Sequence, residues 1–526
     1  MTSTPPTAIQ MSPPSDQQMS DSPAWPRNYR TGIWALVVCY VGWSLWAIGN
    51  SSLWLDETIT AWVTSGDLPT CIHRAWNFQG QSPLYFMLVW GVRQVLGGSE
   101  FALRSLSLLS AIGSAAIFPS ILRRFGLHRD AWLGPLIVVV VILSEYNTGI
   151  YELRTADTGL NARPYSIAIF SSLISLYCLL HWIDTRTWMM WLTYSAVTTV
   201  TLMLHYLFAP FLAFHLFVLF KRTRGDRRAM LAWLGSLCVV GAGLLPVLPH
   251  LVLVTQKSKN YESAKLPTFF DTLAQLFVLN GMWRVIALTC IFGLIRPRLD
   301  LTAVDRDTAI LGLTWWSLPP ICLAILYLVT GISLNAPRYL LWRLPAVALL
   351  IIAMLQAVYS HRFVALPAFL CVPFMIPVIQ SHDRSGWKEA VEWAEHYTSH
   401  AGDYQPVLYS GLIETATPDW LDDEEFRSYL LAPLDYYSGP QQAELLPIYY
   451  RSMTAEIFQK KMDDLIDHHD RMIIFLRHEP VASRPVHKML SDAGYSIVDG
   501  QKFQLVDVIV ASRIADDSAP THAESE

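Results

Sequence analysis

Two carboxylates stand side by side where the first apolar block of the chain ends, in Trp54-Leu55-Asp56-Glu57-Thr58. A carboxylate at a membrane–water interface must be solvated or paired, and such groups are candidates for function. For Asp56 two readings are open: a general base, or the cap of a following amphipathic helix over 57–64. Glu57 shares that assignment as the second catalytic candidate. The chain runs on through His73, Arg74, Trp76 and Asn77 to Gln79-Gly80-Gln81-Ser82-Pro83-Leu84-Tyr85. His73 and Arg74 read first as side chains snorkelling to the headgroup level. A second polar cluster holds Glu145, Asn147, Glu152, Arg154, Asp157, Asn161 and Arg163, followed by Pro164 and Tyr165. Its plain reading is a set of exposed ion pairs of little energetic value. Its sharper reading is a binding surface, with Pro164 suited to open the next helix. Later come His205-Tyr206, Lys257, Lys259 and Lys265, Arg338-Tyr339, and Arg343. Arg343 is expected roughly 5–10 Å inside a helix, at 1.5 Å rise per residue. That position is costly unless the guanidinium meets an anion or pairs with a neighbouring helix.

The elements that must position these groups are helices in a bilayer. The chain is 52% hydrophobic and 15% charged, with mean hydropathy +0.32, against about 25% charged for a soluble domain. Apolar blocks near 31–51, 101–122, 131–147, 164–183, 188–206, 207–220, 229–253, 284–296, 309–331, 339–359 and 363–380 predict about 11 spans. The apolar block 83–97 is read as lying along the membrane without crossing. With the amino terminus inside, Arg123-Arg124, Arg186, Lys221 to Arg228, Arg296 to Arg306 and Arg362 all then fall inside, as the positive-inside tendency requires. Asp56, the second polar cluster and everything beyond about 381 fall outside. A net charge of −5 points away from nucleic acid. Seven cysteines show no metal spacing and imply no disulfide framework.

Composition divides the chain into four parts. Residues 1–30 are expected as a disordered cytoplasmic tail, too polar for a cleaved signal peptide. Residues 31–380 form the membrane module, and 515–526 a second tail. Residues 381–514 are expected as a small α/β domain outside the membrane. Its helix runs from Trp387 to His396, and its strands are Val407 to Tyr409, Met472 to Leu476 and Val506 to Ala511. The acidic run Asp422 to Glu425 reads as a solvated face.

Several segments together resemble the GT-C superfamily of membrane glycosyltransferases. Trp54-Leu55-Asp56-Glu57 is similar to its first-loop motif. Gln81-Ser82-Pro83-Leu84-Tyr85 is similar to its His-Pro-Pro-Leu-Tyr segment, Asn161-Ala162-Arg163-Pro164-Tyr165 to its Glu-Ala-Arg-Pro-Tyr segment, and Pro337-Arg338-Tyr339-Leu340 to a later Arg-Tyr segment. The nearest resemblance is to family 39-like transferases, the protein O-mannosyltransferase and lipid A aminoarabinose transferase type, over about residues 31–400. It implies inverting transfer from a polyprenyl-phosphate sugar at the extracytoplasmic face. Asp56 would be the base. Arg163, Arg338, Lys257, Lys259 and Arg343 would hold the carrier phosphate, since guanidinium groups match phosphate oxygens. Glu152, Asp157, His73, Gln81, His205, Tyr206, Tyr165 and Tyr339 would contact acceptor or a metal. A divalent cation is the one cofactor to consider. Gln81 and Asn161 depart from the family's His and Glu, which weakens any metal assignment there. The rival class is a transporter or flippase of a lipid-linked or anionic solute, although neither repeated halves nor broken midplane helices stand out. A third class is an assembly protein acting through its outer domain. The expected location is a bacterial plasma membrane, with lipids and the lipid-linked donor as partners.

Overall fold

The computed structural model describes residues 27–127, 131–143, 161–259, 306–330, 341–358, 386–401, 404–410, 423–438, 443–447, 455–477, 480–503 and 506–514. Helix α1 (Arg27–Asn50) begins inside the segment expected as tail and exposes Trp34, Trp43 and Trp46, as a lipid-facing helix would. Three short helices follow: α2 (Leu55–Val63), α3 (Leu68–Phe78) and α4 (Pro83–Leu96). Helix α4 has 14 residues, about 21 Å of rise. That falls short of a ~30 Å hydrocarbon core, so the block read as non-crossing is too short to span.

The bundle continues with α5 (Glu100–Arg124), α6 (Gly134–Leu143), α7 (Tyr165–Thr185), α8 (Trp188–Leu204), α9 (Phe211–Thr223), α10 (Arg227–Leu244) and α11 (Leu248–Lys259). It closes with α12 (Arg306–Thr330) and α13 (Leu344–Val358). Among the described residues five stretches are long and apolar enough to cross a membrane: Glu100–Arg124, Tyr165–Thr185, Tyr206–Thr223, Arg227–Gln256 and Arg306–Leu326. Shorter apolar helices run over Thr31–Trp46, Trp188–Leu204 and Leu341–Ala353. The protein is an integral membrane protein. The spans expected at 284–296 and 363–380 lie outside the described residues. The span expected at 229–253 falls within Arg227–Gln256 and tightens into a 3-10 turn at Leu245–Val247, where Pro246 has no N–H to give the helix.

Polar clasps and small residues set the helix packing, as in membrane bundles generally. Ser171 and Ser175 on α7 meet Thr201 and Thr198 on α8, each pair at 2.7 Å. A Cβ on Gly113 of α5 would stand 2.6 Å from the Phe170 ring, so only glycine allows α7 this close.

At one end of the bundle the basic clusters meet. Arg124 pairs with Asp184 and reaches His181 Nδ1 at 2.8 Å, and Arg222 donates to the Arg124 carbonyl. Arg186 pairs with Asp226 at 3.5 Å and Lys221 with Asp307 at 2.9 Å. Of the clusters that the charge argument placed on one side, Arg124, Arg186, Lys221 and Arg222 share this end, and Arg296 and Arg362 lie outside the described residues.

The carboxy-terminal domain is a mixed five-stranded sheet in the order β2-β1-β3-β5-β4. Its chain order is α14 (Trp387–Ala401), β1 (Gln405–Ser410), α15 (Glu424–Ser438), β2 (Glu444–Pro447), α16 (Ala455–His468), β3 (Arg471–Arg477), α17 (Pro480–Asp492), β4 (Tyr495–Phe503) and β5 (Val506–Arg513). Strand β1 runs parallel to β2 and β3, while β5 is antiparallel to β3 and β4. Side chains of α14 and α15 form one core with Ile473, Phe475, Val508 and Val510; those of α16 and α17 form another with Ile474, Leu476 and Ile509. The expected strands are β1, β3 and β5. The other two show no apolar run: β2 is a four-residue edge strand, and β4 is largely exposed.

Candidate active site

The site is built where the 51–54 link, α2, the residues before α7 and the turn before α9 converge, at the end of the bundle away from the basic clusters. Helix α2 starts at Leu55, one turn after α1, so Asp56 and Glu57 lie in its first turn, where the helix dipole favours negative charge. The cap is Trp54, not Asp56. The two neighbouring carboxylates have opposite fates.

Glu57 is fully buried and saturated. One of its oxygens accepts from Arg104 Nε at 2.8 Å and from the Ala162 N–H at 2.7 Å. The other accepts from the second face of the Arg104 guanidinium at 2.6 Å and from the Trp54 N–H at 2.9 Å. Burial pushes the Glu57 carboxyl up, but Arg104 and the two backbone donors prevail and hold it below the ordinary range. Arg104 also donates to the Ser51 and Ser52 carbonyls, each at 2.9 Å. This pair fixes the link, α2 and the 161–163 segment to α5.

Asp56 is paired loosely. Its nearest guanidinium nitrogen on Arg163 stands at 3.7 Å, beyond hydrogen-bond range, and Arg163 also approaches the Asp56 carbonyl at 3.4 Å. Asp56 keeps 17% of its side chain exposed and Arg163 10%. Further bonds hold the two against each other: Thr60 Oγ1 donates to the Ala162 carbonyl at 2.9 Å, and Ser107 Oγ to the Asn161 carbonyl at 2.7 Å. Pro164 opens α7, as expected, its carbonyl accepting from Ala168 N–H at 2.9 Å.

Among the described residues, aromatic, imidazole and amide groups come from the neighbouring elements. The Tyr165 ring lies 5.4 Å from His205, whose Nδ1 accepts from Leu207 N–H at 3.3 Å. Tyr206 Oη bonds His250 Nδ1 at 2.9 Å, and His250 Nε2 donates to the Gln79 carbonyl at 3.2 Å. Ser82 caps α4 and donates to the Met203 carbonyl. Gln81 and Tyr85 are buried, with Gln81 Oε1 and Tyr85 Oη unpartnered among the described residues. Burial pushes the Tyr85 phenol up, against the pull of Arg163, so it stays protonated.

Not every expected site residue joins this cluster. His73 is exposed and pairs with Glu425 at 3.1 Å, in the contact between α3 and the carboxy-terminal domain. Of the acidic run, Asp423 and Glu424 are exposed, as a solvated face would be, while Glu425 also meets Arg74 at 3.4 Å and Asp423 caps α15 by accepting from Phe426 N–H at 3.1 Å. Arg343 is buried just before α13, its guanidinium 5.8 Å from the Trp316 ring. Lys257 and Lys259 fall on the last turn of α11. Glu152, Asp157, Arg338 and Tyr339 lie outside the described residues. Among the described residues no group of three His, Cys, Asp or Glu could hold a metal ion. Arg104 and His250 were not among the expected site residues. Arg104 carries a signal all the same, as a lone cation inside an apolar block.

No protein-family model matches the sequence, and no curated protein matches it. The fold is nevertheless shared with solved structures. ArnT from Cupriavidus metallidurans in the apo state superposes with a TM-score of 0.55 at 13% identity, covering 91% of this chain and 98% of ArnT. ArnT bound to undecaprenyl phosphate gives 0.54 at 12% identity, covering 93% and 99%. The likeness is one of fold.

Proposed function

We propose that this chain is an inverting glycosyltransferase that takes its sugar from a polyprenyl-phosphate carrier at the extracytoplasmic face. The observation that carries the reading is the loose, partly exposed Asp56–Arg163 pair, 3.7 Å apart. It sits beside the saturated Glu57–Arg104 pair, in a bundle with the fold of a protein solved with undecaprenyl phosphate bound.

In this reading Asp56 takes the proton of an acceptor hydroxyl while the acceptor oxygen attacks the anomeric carbon. The bond from that carbon to the phosphate oxygen breaks, and the carrier phosphate leaves with the electron pair. Arg163 exchanges its long contact to Asp56 for phosphate oxygens and stabilises the charge that builds on them. Arg338, Lys257, Lys259 and Arg343 are the further candidates for that phosphate. Glu57 positions and does not react, because four donors already occupy its oxygens. Tyr85, Tyr165, Gln81, His205 and Tyr206 line the sugar and acceptor side. A bacterial plasma membrane, with the amino terminus in the cytoplasm, suits this chemistry.

The test is transfer from a panel of labelled polyprenyl-phosphate sugars in membranes holding the protein or its Asp56→Asn variant at equal level. Label should pass to an acceptor with release of carrier phosphate, and the variant should be at least ~100-fold slower. Equal turnover in both would remove Asp56 as base. Solute flux into sealed vesicles that ignores Asp56→Asn would establish the transporter instead.

A further inference from the structure

The link between α1 and α2 is four residues long, 51–54, and it alone sets where Asp56 stands relative to the first span. Its backbone is held from two directions. From the bundle, Arg104 takes the Ser51 and Ser52 carbonyls, and Glu57 takes the Trp54 N–H. From the carboxy-terminal domain, Tyr437 near the end of α15 presents its Oη to the Leu53 N–H at 2.5 Å and lies 3.5 Å from Ser52 Oγ. Ser52 Oγ also accepts from the Lys388 N–H at the start of α14, at 3.3 Å.

The same helix α15 grips the far end of α2. Trp62 Nε1 donates to Ser428 Oγ at 2.8 Å, and the Trp62 ring packs edge-on against Tyr429 at 5.4 Å. Arg74, which donates to the Trp62 carbonyl at 2.7 Å, reaches Glu425. One residue before Tyr437, Tyr436 Oη donates to the Gly98 carbonyl at 2.8 Å, next to the start of α5, the helix that carries Arg104. Both ends of the helix bearing Asp56, and the helix bearing its buried anchor, are thus held by one surface helix of the outer domain.

We propose that the carboxy-terminal domain is a positioning element for Asp56, acting through α15 with Tyr437 as the positioning residue. This rests on Asp56 being the base. A polar bond to a backbone N–H two residues before the helix start is a lever on α2 that does not involve the Asp56 carboxylate itself. Its loss changes the orientation of the carboxylate and not the groups that hold the carrier phosphate, and misplacement by about 1 Å is enough to cost a large factor in rate.

The experiment uses the full chain in detergent and in membranes. Tyr437→Phe keeps the ring and removes only the hydroxyl. Amide hydrogen exchange over 51–58 should speed up while exchange in α7 and α8 stays unchanged. Turnover at saturating donor and acceptor should fall about tenfold, with KM for the donor and the Kd for undecaprenyl phosphate both within about twofold. Unaltered exchange over 51–58 overturns the proposal, whatever the activity. Faster exchange with unaltered turnover, while Asp56→Asn is slow, overturns the positioning role alone. Unaltered turnover in both variants overturns the reading of Asp56 on which it rests. A loss that appears only as weaker binding of undecaprenyl phosphate also overturns it, because it would place the effect at the phosphate and not at the base.

Discussion

The two ends of the bundle use the same residue types in opposite ways. At the basic end, Arg124–Asp184, Arg186–Asp226 and Lys221–Asp307 tie helix termini together through partly exposed pairs, with Asp307 69% exposed. Water screens such pairs, and each contributes little. At the other end Arg104 and Glu57 are both buried, and every lone pair that matters is matched by a donor. Charge at the first end links helix termini at the surface. Charge at the second end is structural at Glu57 and poised at Asp56. Two carboxylates adjacent in sequence thus differ in their surroundings, Glu57 fully buried and Asp56 17% exposed beside Arg163 at 3.7 Å.

The comparison breaks most visibly at its strongest member. Arg104→Ala should cost about 3–5 kcal/mol, because it strands a buried carboxylate; thermal unfolding in detergent would register it, and a shift like that of any surface variant would contradict the account. Acid attacks the same pair. Glu57 titrates below its unfolded value of about 4.3, so its contribution is fully present above that pH and is lost as pH falls through the lower folded value. Unfolding followed from pH 7 down to pH 3 should show that loss, and Arg104→Met should abolish this component.

Next in size is Arg163→Ala. Loss of a charge-assisted contact of ~1.5–3 kcal/mol should weaken binding of undecaprenyl phosphate roughly 10- to 100-fold with little change in thermal stability. Calorimetric binding to the purified protein measures it, and an unaltered Kd would remove Arg163 from the phosphate. Smallest is Lys221→Ala at the basic end, which should change stability by less than about 1 kcal/mol and leave turnover as it was. A large loss there would mean that the two ends are not as different as their burial indicates.

Much of the fold is legible in the order of residues alone. The spans at 101–122 and 164–183 announce themselves by length and apolar content, and α5 and α7 follow them within a few residues. The strands β1, β3 and β5 are readable because a sheet centre is apolar on both faces, whereas β2 and β4 are not, being short or exposed. Asp56, Arg163 and Tyr165 are readable as polar residues at span ends. The contact of His73 with Glu425 is not readable in this way, because spacing along the chain says nothing of a partner 352 residues away.

By itself the sequence determined the membrane environment, the common end of Arg124, Arg186 and Lys221, and the pool of groups able to do acid–base and phosphate chemistry. All of these are properties of composition and of local order along helices. Only the tertiary structure decided which member of the Asp56–Glu57 pair is buried and saturated and which stays partly exposed. That choice depends on Arg104 arriving from α5 and Ala162 from the segment before α7, two contacts that no local pattern encodes. It also decided that the outer domain rests on the helix carrying Asp56. The physical reason is that burial and pairing are set by what lies across the contact, and the chain brings those residues together only when it folds.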